Sequence, residues 1–346
     1  MTDRKIIVEI ITGSNLYGTN RPDSDMDFTG VFLPSMRDLM GLQNPPGEFT
    51  ANKKISTGPR NESGDVDVKF YNIKNFLRMS AEGQPGCLEM LFAPKSHTTQ
   101  SSREWSEIIA NRKILLSQKG VSPFVGFALS QANKATVKGN NLNAVRAISA
   151  WGMTLGNSEL SKPLGEYLIP TAPGKCSIRG IAGAGYFDLK PNDHNFVTFT
   201  VAGRQYDPGT KTATFLSAIE KLVARYGTRA AAAAEKGYDF KSLMHAYRLL
   251  DEAEEFVITG EITLPRPKAQ ADRLKKIRAG IAEGSDFDWF DDIMDRIDEL
   301  RDYFLPKTSL PKEVKWDKVN ELCEHILWEH LREKPSFKSR VIALFR

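Results

Sequence analysis

The chain has 346 residues, 41% of them hydrophobic and 26% charged, with a formal net charge of +4 at pH 7. That length has room for two domains, or one with a large appendage, while so slight a charge excludes a surface that is basic all over and leaves only local basic patches. No apolar run approaches the roughly 20 residues that cross a bilayer, the opening Met-Thr-Asp-Arg-Lys lacks a secretory cleavage site, and Cys87, Cys176 and Cys323 form neither a disulfide framework nor a C-x-x-C pair; the expectation is a globular cytoplasmic protein with no membrane partner.

In chain order, residues 5 to 11 are β-branched and apolar, as in a buried strand. Gly13-Ser14 breaks it, and backbone N–H groups at such a turn can line an anion-binding concavity. Met26 to Phe32 reads as a second short strand with Asp25 and Asp27, two residues apart, at its head, so both carboxylates point to one face. Gly41 to Gly64, rich in Asn, Pro, Lys and Gly, reads as a long loop, and Asp65 to Tyr71 alternates as a strand. Ile73, Phe76, Leu77 and Met79-Ser80 fit a short amphipathic helix ending near Gly83. Gln84-Pro85-Gly86 stops it, and Cys87 to Phe92 follows as another apolar element.

From about residue 103 the texture turns helical. Phe215, Ile219, Leu222, Val223 and Tyr226 recur at helix spacing, with Gly227 as a C-terminal stop. Residues 241–259, 287–304 and 313–333 read as further helices, and Pro265-Arg266-Pro267 as a stiff connection. Gly174 to Asp207 is Gly-rich and aromatic, with a β-like run at 195–200, and takes no assigned fold. No internal repeat is present.

The chemistry concentrates near the start. Two carboxylates on one edge, facing a phosphate cradle, suit Mg²⁺, which takes a couple of carboxylates plus substrate phosphates. The pattern is G-S-x3-G-T-x4-S-D-x-D-x2-G-V, from Gly13 to Val31. A lone D-x-D is common on surface strands; joined to Gly-Ser at this distance, it resembles the active-site signature of the DNA polymerase β-like nucleotidyltransferases. Asp67-Val-Lys-Phe-Tyr71, Gly83-Gln-Pro85 and Leu88-Glu89-Met-Leu91-Phe are similar to the RlaP-type family associated with RNA repair. So are the distal segments Tyr226-Gly-Thr-Arg229, Gly237-Tyr238-Asp239-Phe-Lys241, His245-Ala-Tyr-Arg248 and Gly260-Glu-Ile-Thr-Leu264-Pro265. Together these cover most of residues 8 to 265. Gln84 departs from the family, which usually shows Asn there, and the 174–207 insert carries none of the resemblance.

The resemblance implies an α+β fold: a polymerase β-like nucleotidyltransferase domain (a small mixed sheet with helices) over residues 1–112. A mostly helical domain over 113–346, with the Gly-rich insert near 174–207, would follow. It implies transfer of a nucleoside monophosphate from an NTP to an acceptor hydroxyl, an RNA 3′ end, with Mg²⁺ (or Mn²⁺) as cofactor. Asp25 and Asp27 would hold metal. A third carboxylate should arrive on a neighbouring strand; Asp67 is favoured over Asp65, on the same strand face, to bridge a second metal and help deprotonate the hydroxyl. Ser14, with backbone N–H groups from Gly13 to Asn15, would grip the terminal phosphate. Ser24 joins this nucleotide-binding set, and with Thr19 it would shape turns that hold the aspartates.

Lys241, His245 and Arg248, spaced by four and three residues, share one helix face while Leu243, Tyr247 and Leu250 would bury. Such a cationic stripe could bind the triphosphate or an acceptor phosphate, although His245 also reads as an ordinary helix histidine and Arg229 as a salt-bridge partner. Glu89, in an apolar run, is a charge-paired structural residue or an active-site wall. His325 and His330 are five apart and cannot easily share a metal, and Cys323 does not repair that. The Lys268–Arg278 group, the tail cations Lys334, Lys338, Arg340 and Arg346, and the trio Lys134, Lys138 and Arg146 read as solvated faces or as RNA contacts. Two rival functions are nucleotidylation of a small molecule or protein, and nucleotide-binding regulation without catalysis.

Overall fold

The apolar, β-branched runs assemble first into a sheet. In the computed structural model, which describes residues 4–22, 24–40, 46–50, 66–181, 187–191, 197–225, 235, 237–281 and 288–332, β1 (Lys5–Thr12) runs into a single-turn helix, α1 (Gly13–Tyr17). Strand β2 (Met26–Leu33) returns antiparallel beside β1. After α2 (Met36–Met40), β3 (Glu48–Thr50) and β4 (Val66–Asn72) pair antiparallel, and β4 lies parallel to β2. Helices α3 (Ile73–Ala81) and α4 (Pro85–Phe92) follow, then β5 (Thr98–Ser101) on the far side of β1, and α5 (Arg103–Ala110). The sheet order is β3-β4-β2-β1-β5, a small mixed sheet with helices.

Each local choice has a visible cause. Asn72 ends β4 and caps α3, its side-chain Oδ1 accepting the Lys74 N–H at 3.0 Å. Pro85 opens α4 at a position where its missing N–H costs nothing. The stretch expected to be a long loop contributes an edge strand, because Phe49 stacks on Phe70 at 5.0 Å and sits 5.1 Å from Phe32. Asp65 and most of that stretch lie outside the described residues.

Further along stand α6 (Val121–Gly152), a one-turn α7 (Asn157–Leu160), and five strands: β6 (Leu168–Ala172), β7 (Lys175–Ile178), β8 (Phe187–Pro191), β9 (Val197–Val201) and β10 (Arg204–Tyr206). Each strand pairs antiparallel with its predecessor, a simple meander. The Gly-rich insert is thus most of a sheet, inside a region expected to be mostly helical. Then come α8 (Thr212–Arg225), α9 (Phe240–Thr259), α10 (Lys268–Ala279), α11 (Trp289–Glu299), extended by one wider turn through Phe304, and α12 (Trp316–Arg332). Tyr226 and Gly227, expected at the end of α8, are outside the described residues.

Two compact units divide the chain: Met1–Leu129 with Met244–Arg346, and Ser130–Leu243. In the second, Phe199 of β9 and Phe215 of α8 meet at 5.7 Å within a core that includes Val145, Ile148, Trp151 and Ile178. In the first, α9 buries Met244, Leu249, Ala253 and Phe256, and Phe256 stacks on Phe124 at 6.4 Å.

Gly30, within the sequence signature, is a packing glycine. A Cβ there would stand 2.5 Å from the Val8 carbonyl oxygen and 2.6 Å from the Phe70 ring. Alanine in a strand interior normally outperforms glycine. Here Gly30→Ala should cost about 1–3 kcal/mol through overpacking, measured by urea denaturation; unchanged or higher stability would show that the β1–β2–β4 contact is not as tight as described.

Candidate active site

Strand register brings the acids together. Thr12 of β1 pairs with Asp27 of β2, and Asp27 pairs with Asp67 of β4. Residues paired across neighbouring strands project from the same face, so Thr12, Asp27 and Asp67 form a row across the sheet. Alternation sends Phe28, Phe32, Val68 and Phe70 to the opposite face, where they pack together. Asp27 and Asp67 are half-buried, while Asp25, just ahead of β2, is exposed.

The Gly-Ser bend closes over this row. Gly13 has φ +66°, and a Cβ at that position would run into an Asp27 carboxylate oxygen. Asn15 Nδ2 donates to the Asp25 carbonyl oxygen at 3.2 Å, so the bend touches the backbone of one aspartate and the side chain of another. The Thr19 and Gly18 N–H groups donate back to the Ser14 and Asn15 carbonyls at 3.0 and 3.2 Å, and left-handed Gly18 ends the helix. Ser24 Oγ accepts the Arg21 N–H at 2.8 Å, a turn-shaping bond. Gly13, Ser14, Asn15, Ser24, Asp25, Asp27 and Asp67 therefore lie along one short stretch of sheet edge and bend.

The distal stripe is placed differently. Lys241 is exposed and His245 half-buried, but Arg248 is only 4% exposed. Its Nη1 donates to Glu89 Oε1 at 2.7 Å and to the two Glu252 oxygens at 2.9 and 2.8 Å. Its guanidinium lies 3.7 Å from the centre of the Tyr17 ring, and the Tyr17 hydroxyl donates to Glu89 Oε2 at 2.7 Å. Glu89 is thus charge-paired, not an open wall. Tyr17 and Glu252 escaped the sequence reading, although Glu252 stands four residues after Arg248 on one helix, the spacing of an ion pair.

This cluster holds two carboxylates around one guanidinium, away from water. Burial pushes the Glu252 carboxyl up to about 8, with the Arg248 charge pulling the other way. Burial likewise raises the Tyr17 phenol well above its usual range, so it stays a donor.

The remaining candidates are dispersed. Arg229, Lys334, Lys338, Arg340, Arg346 and the Lys138 side chain are outside the described residues. His325 Nε2 sits 3.2 Å from Glu107 Oε1, His330 is buried, and the three cysteines are free thiols. Among the described residues, no three His, Cys, Asp or Glu side chains gather as a metal cluster. A groove of about 1070 Å³ between α3 and α12, walled by Lys74, Leu77, Trp316 and Trp328, contains none of the aspartates. No described helix is long and apolar enough to cross a membrane.

Residues 2–148 match RlaP, the RNA repair pathway DNA polymerase beta family. The small mixed sheet with its helices, followed by a largely helical region, is consistent with a polymerase β-like domain plus a helical C-terminal region. The RlaP match takes in every acid of the row and points to a nucleotidyltransferase role in RNA repair. The chain is also 28% identical, over 277 residues, to an "Uncharacterized 38.9 kDa protein in nrdC-mobD intergenic region" of Enterobacteria phage T4, an alignment covering 75% of this chain and 79% of the phage protein. That likeness runs well beyond the RlaP-matched residues. No solved structure matches the chain significantly.

The buried cluster carries its own test. Between the ordinary glutamate value of 4.5 and about 8, the folded protein keeps a proton on Glu252 that the unfolded chain has lost. The Glu252 contribution to stability therefore falls as pH rises through that window and levels off above it. Glu252→Gln cannot ionise, so its stability relative to wild type should climb from pH 5 to pH 8 in urea titrations; parallel curves would contradict a protonated Glu252.

Proposed function

We propose that the protein is a metal-dependent nucleotidyltransferase that moves a nucleoside monophosphate from an NTP to an acceptor hydroxyl, with an RNA 3′ end as the acceptor. One observation carries this reading: the Gly13 backbone lies against the Asp27 carboxylate while Asp67 stands opposite Asp27 on the adjacent parallel strand. A bend that sets a glycine backbone beside hard oxygen donors suits a triphosphate bound with divalent cations. In this reading residues 1–112 form the catalytic domain.

The donor set fits such ions. Asp25, Asp27 and Asp67 would hold Mg²⁺ or Mn²⁺, with substrate phosphates completing the coordination. When bound, the ions would neutralise the triphosphate and favour the leaving pyrophosphate. Ser14 and the bend's N–H groups orient the terminal phosphates, and Asn15 and Ser24 hold the Asp25 segment in place. The acceptor oxygen attacks the α-phosphorus, a new O–P bond forms, and the α–β bridging bond breaks to release pyrophosphate. Asp67 takes the hydroxyl proton.

The test is to incubate α-³²P-labelled NTPs with mixed RNA, with lysate and with the protein alone. Label should enter the RNA fraction. Label confined to small molecules or to protein would redirect the acceptor, and NTP binding without pyrophosphate release would leave a regulator. Asp25→Ala and Asp27→Ala should each lower transfer by on the order of a hundredfold or more, since each removes several kcal/mol of charge stabilisation. Circular dichroism should show both variants folded, and unchanged activity in both would end this reading.

A further inference from the structure

Helix α1 is a single turn of five residues, far too short to hold its own shape or place. Its position must come from what grips it. At its head stand Gly13 against Asp27 and Asn15 against the Asp25 backbone. At its tail stands Tyr17, buried, with its ring under the Arg248 guanidinium and its hydroxyl on Glu89. The Arg266 N–H also donates to the Tyr17 carbonyl at 3.2 Å, and Gly18 lies against Pro265.

We propose that Tyr17, Glu89 and Arg248 are positioning residues, a buried clamp that sets the Gly13–Asn15 bend for nucleotide binding. Arg248 then serves the triphosphate through α1 and not by touching phosphate. The proposal rests on the nucleotide-transfer reading given above.

Three observations separate a clamp from ordinary core packing. First, the cluster is poorly built for stability alone. Buried ion pairs seldom outperform apolar residues of equal volume, Arg248 Nε has no hydrogen-bond partner among the described residues, and two acidic side chains share one guanidinium. Second, the bonding fixes register. Glu89 gives one oxygen to Arg248 and the other to Tyr17, at 2.7 Å each, so a slide of α1 along its axis breaks a bond that apolar packing would not notice. Third, the members come from α1, α4 and α9, distant in sequence, and converge on the last residue of the one helix that carries the bend.

Tyr17→Phe keeps the ring under Arg248 and removes only the hydroxyl; Glu89→Gln keeps the shape and removes the charge. Two measurements on the full chain decide the matter: hydrogen exchange of the 13–19 amides by mass spectrometry, and KM for NTP against kcat. Each variant should remain folded, with amide exchange at 13–19 and KM both raised about tenfold, the worth of one buried hydrogen bond, and kcat changed less than KM. The double variant should be little worse than either single one, because both cut the same link. Exchange at 13–19 unchanged from wild type would overturn the clamp, as would an unaltered KM alongside a lowered melting temperature. If wild-type protein neither binds nor turns over any NTP, the nucleotide reading fails by itself, and the exchange measurement still decides whether these residues hold the bend.

Discussion

The Gly13 backbone lies so close to the Asp27 carboxylate that no side chain could stand between them. That contact couples the end of β1 to the head of β2 and gives the intervening loop its purpose. Once bend and acid touch, Asn15 can reach the Asp25 carbonyl, and the Thr12–Asp27–Asp67 row has a roof. The sheet supplies the floor because its other face is apolar and anchored by Phe32 and Phe70. Gly30 makes room for the Phe70 ring beside the Val8 carbonyl.

The acids sort by environment into two roles. Asp25, Asp27 and Asp67 are exposed or half-buried. Glu89 and Glu252 are buried, and their charge is taken up by Arg248, a tyrosine hydroxyl and a retained proton. The first set can meet a polyanion only with cations present, since carboxylates and phosphates repel. The second set cannot meet one at all, and its effect on the site must pass through backbone position. A partly buried network ties α9 to α11: Arg296 donates to Asp251 and Glu254, each at 2.9 Å.

Much of the first unit was legible because its signals are local. The β-branched run of β1, the alternation in β4, Asn72 before an amphipathic stretch, and Pro85 at a helix start each name their structure within a few residues. The acid pair in the D-x-D was readable for the same reason. What escaped depends on partners far away in sequence. β3 is a strand only because Phe49 finds Phe70 and Phe32. The strands of the β6–β10 meander are three to five residues long, too short individually to announce a sheet. Arg248 shares a helical face with Lys241 and His245, yet helical spacing cannot tell a solvated cation from one buried on Glu89. The apolar setting of Glu89 and the four-residue spacing of Arg248 and Glu252 hinted at a hidden ion pair, while Tyr17 gave no sign that it would join them.

The central claim is that the bend and the acid row act together, seating divalent cations only alongside a triphosphate. Electron paramagnetic resonance of Mn²⁺ titrated into the protein with a non-hydrolysable NTP analogue addresses this directly. Wild-type protein should sequester Mn²⁺ strongly with the analogue and weakly without it, and Asp27→Asn should lose the analogue-dependent part. Equal Mn²⁺ binding by wild type and variant, or none by wild type with the analogue present, would contradict the account.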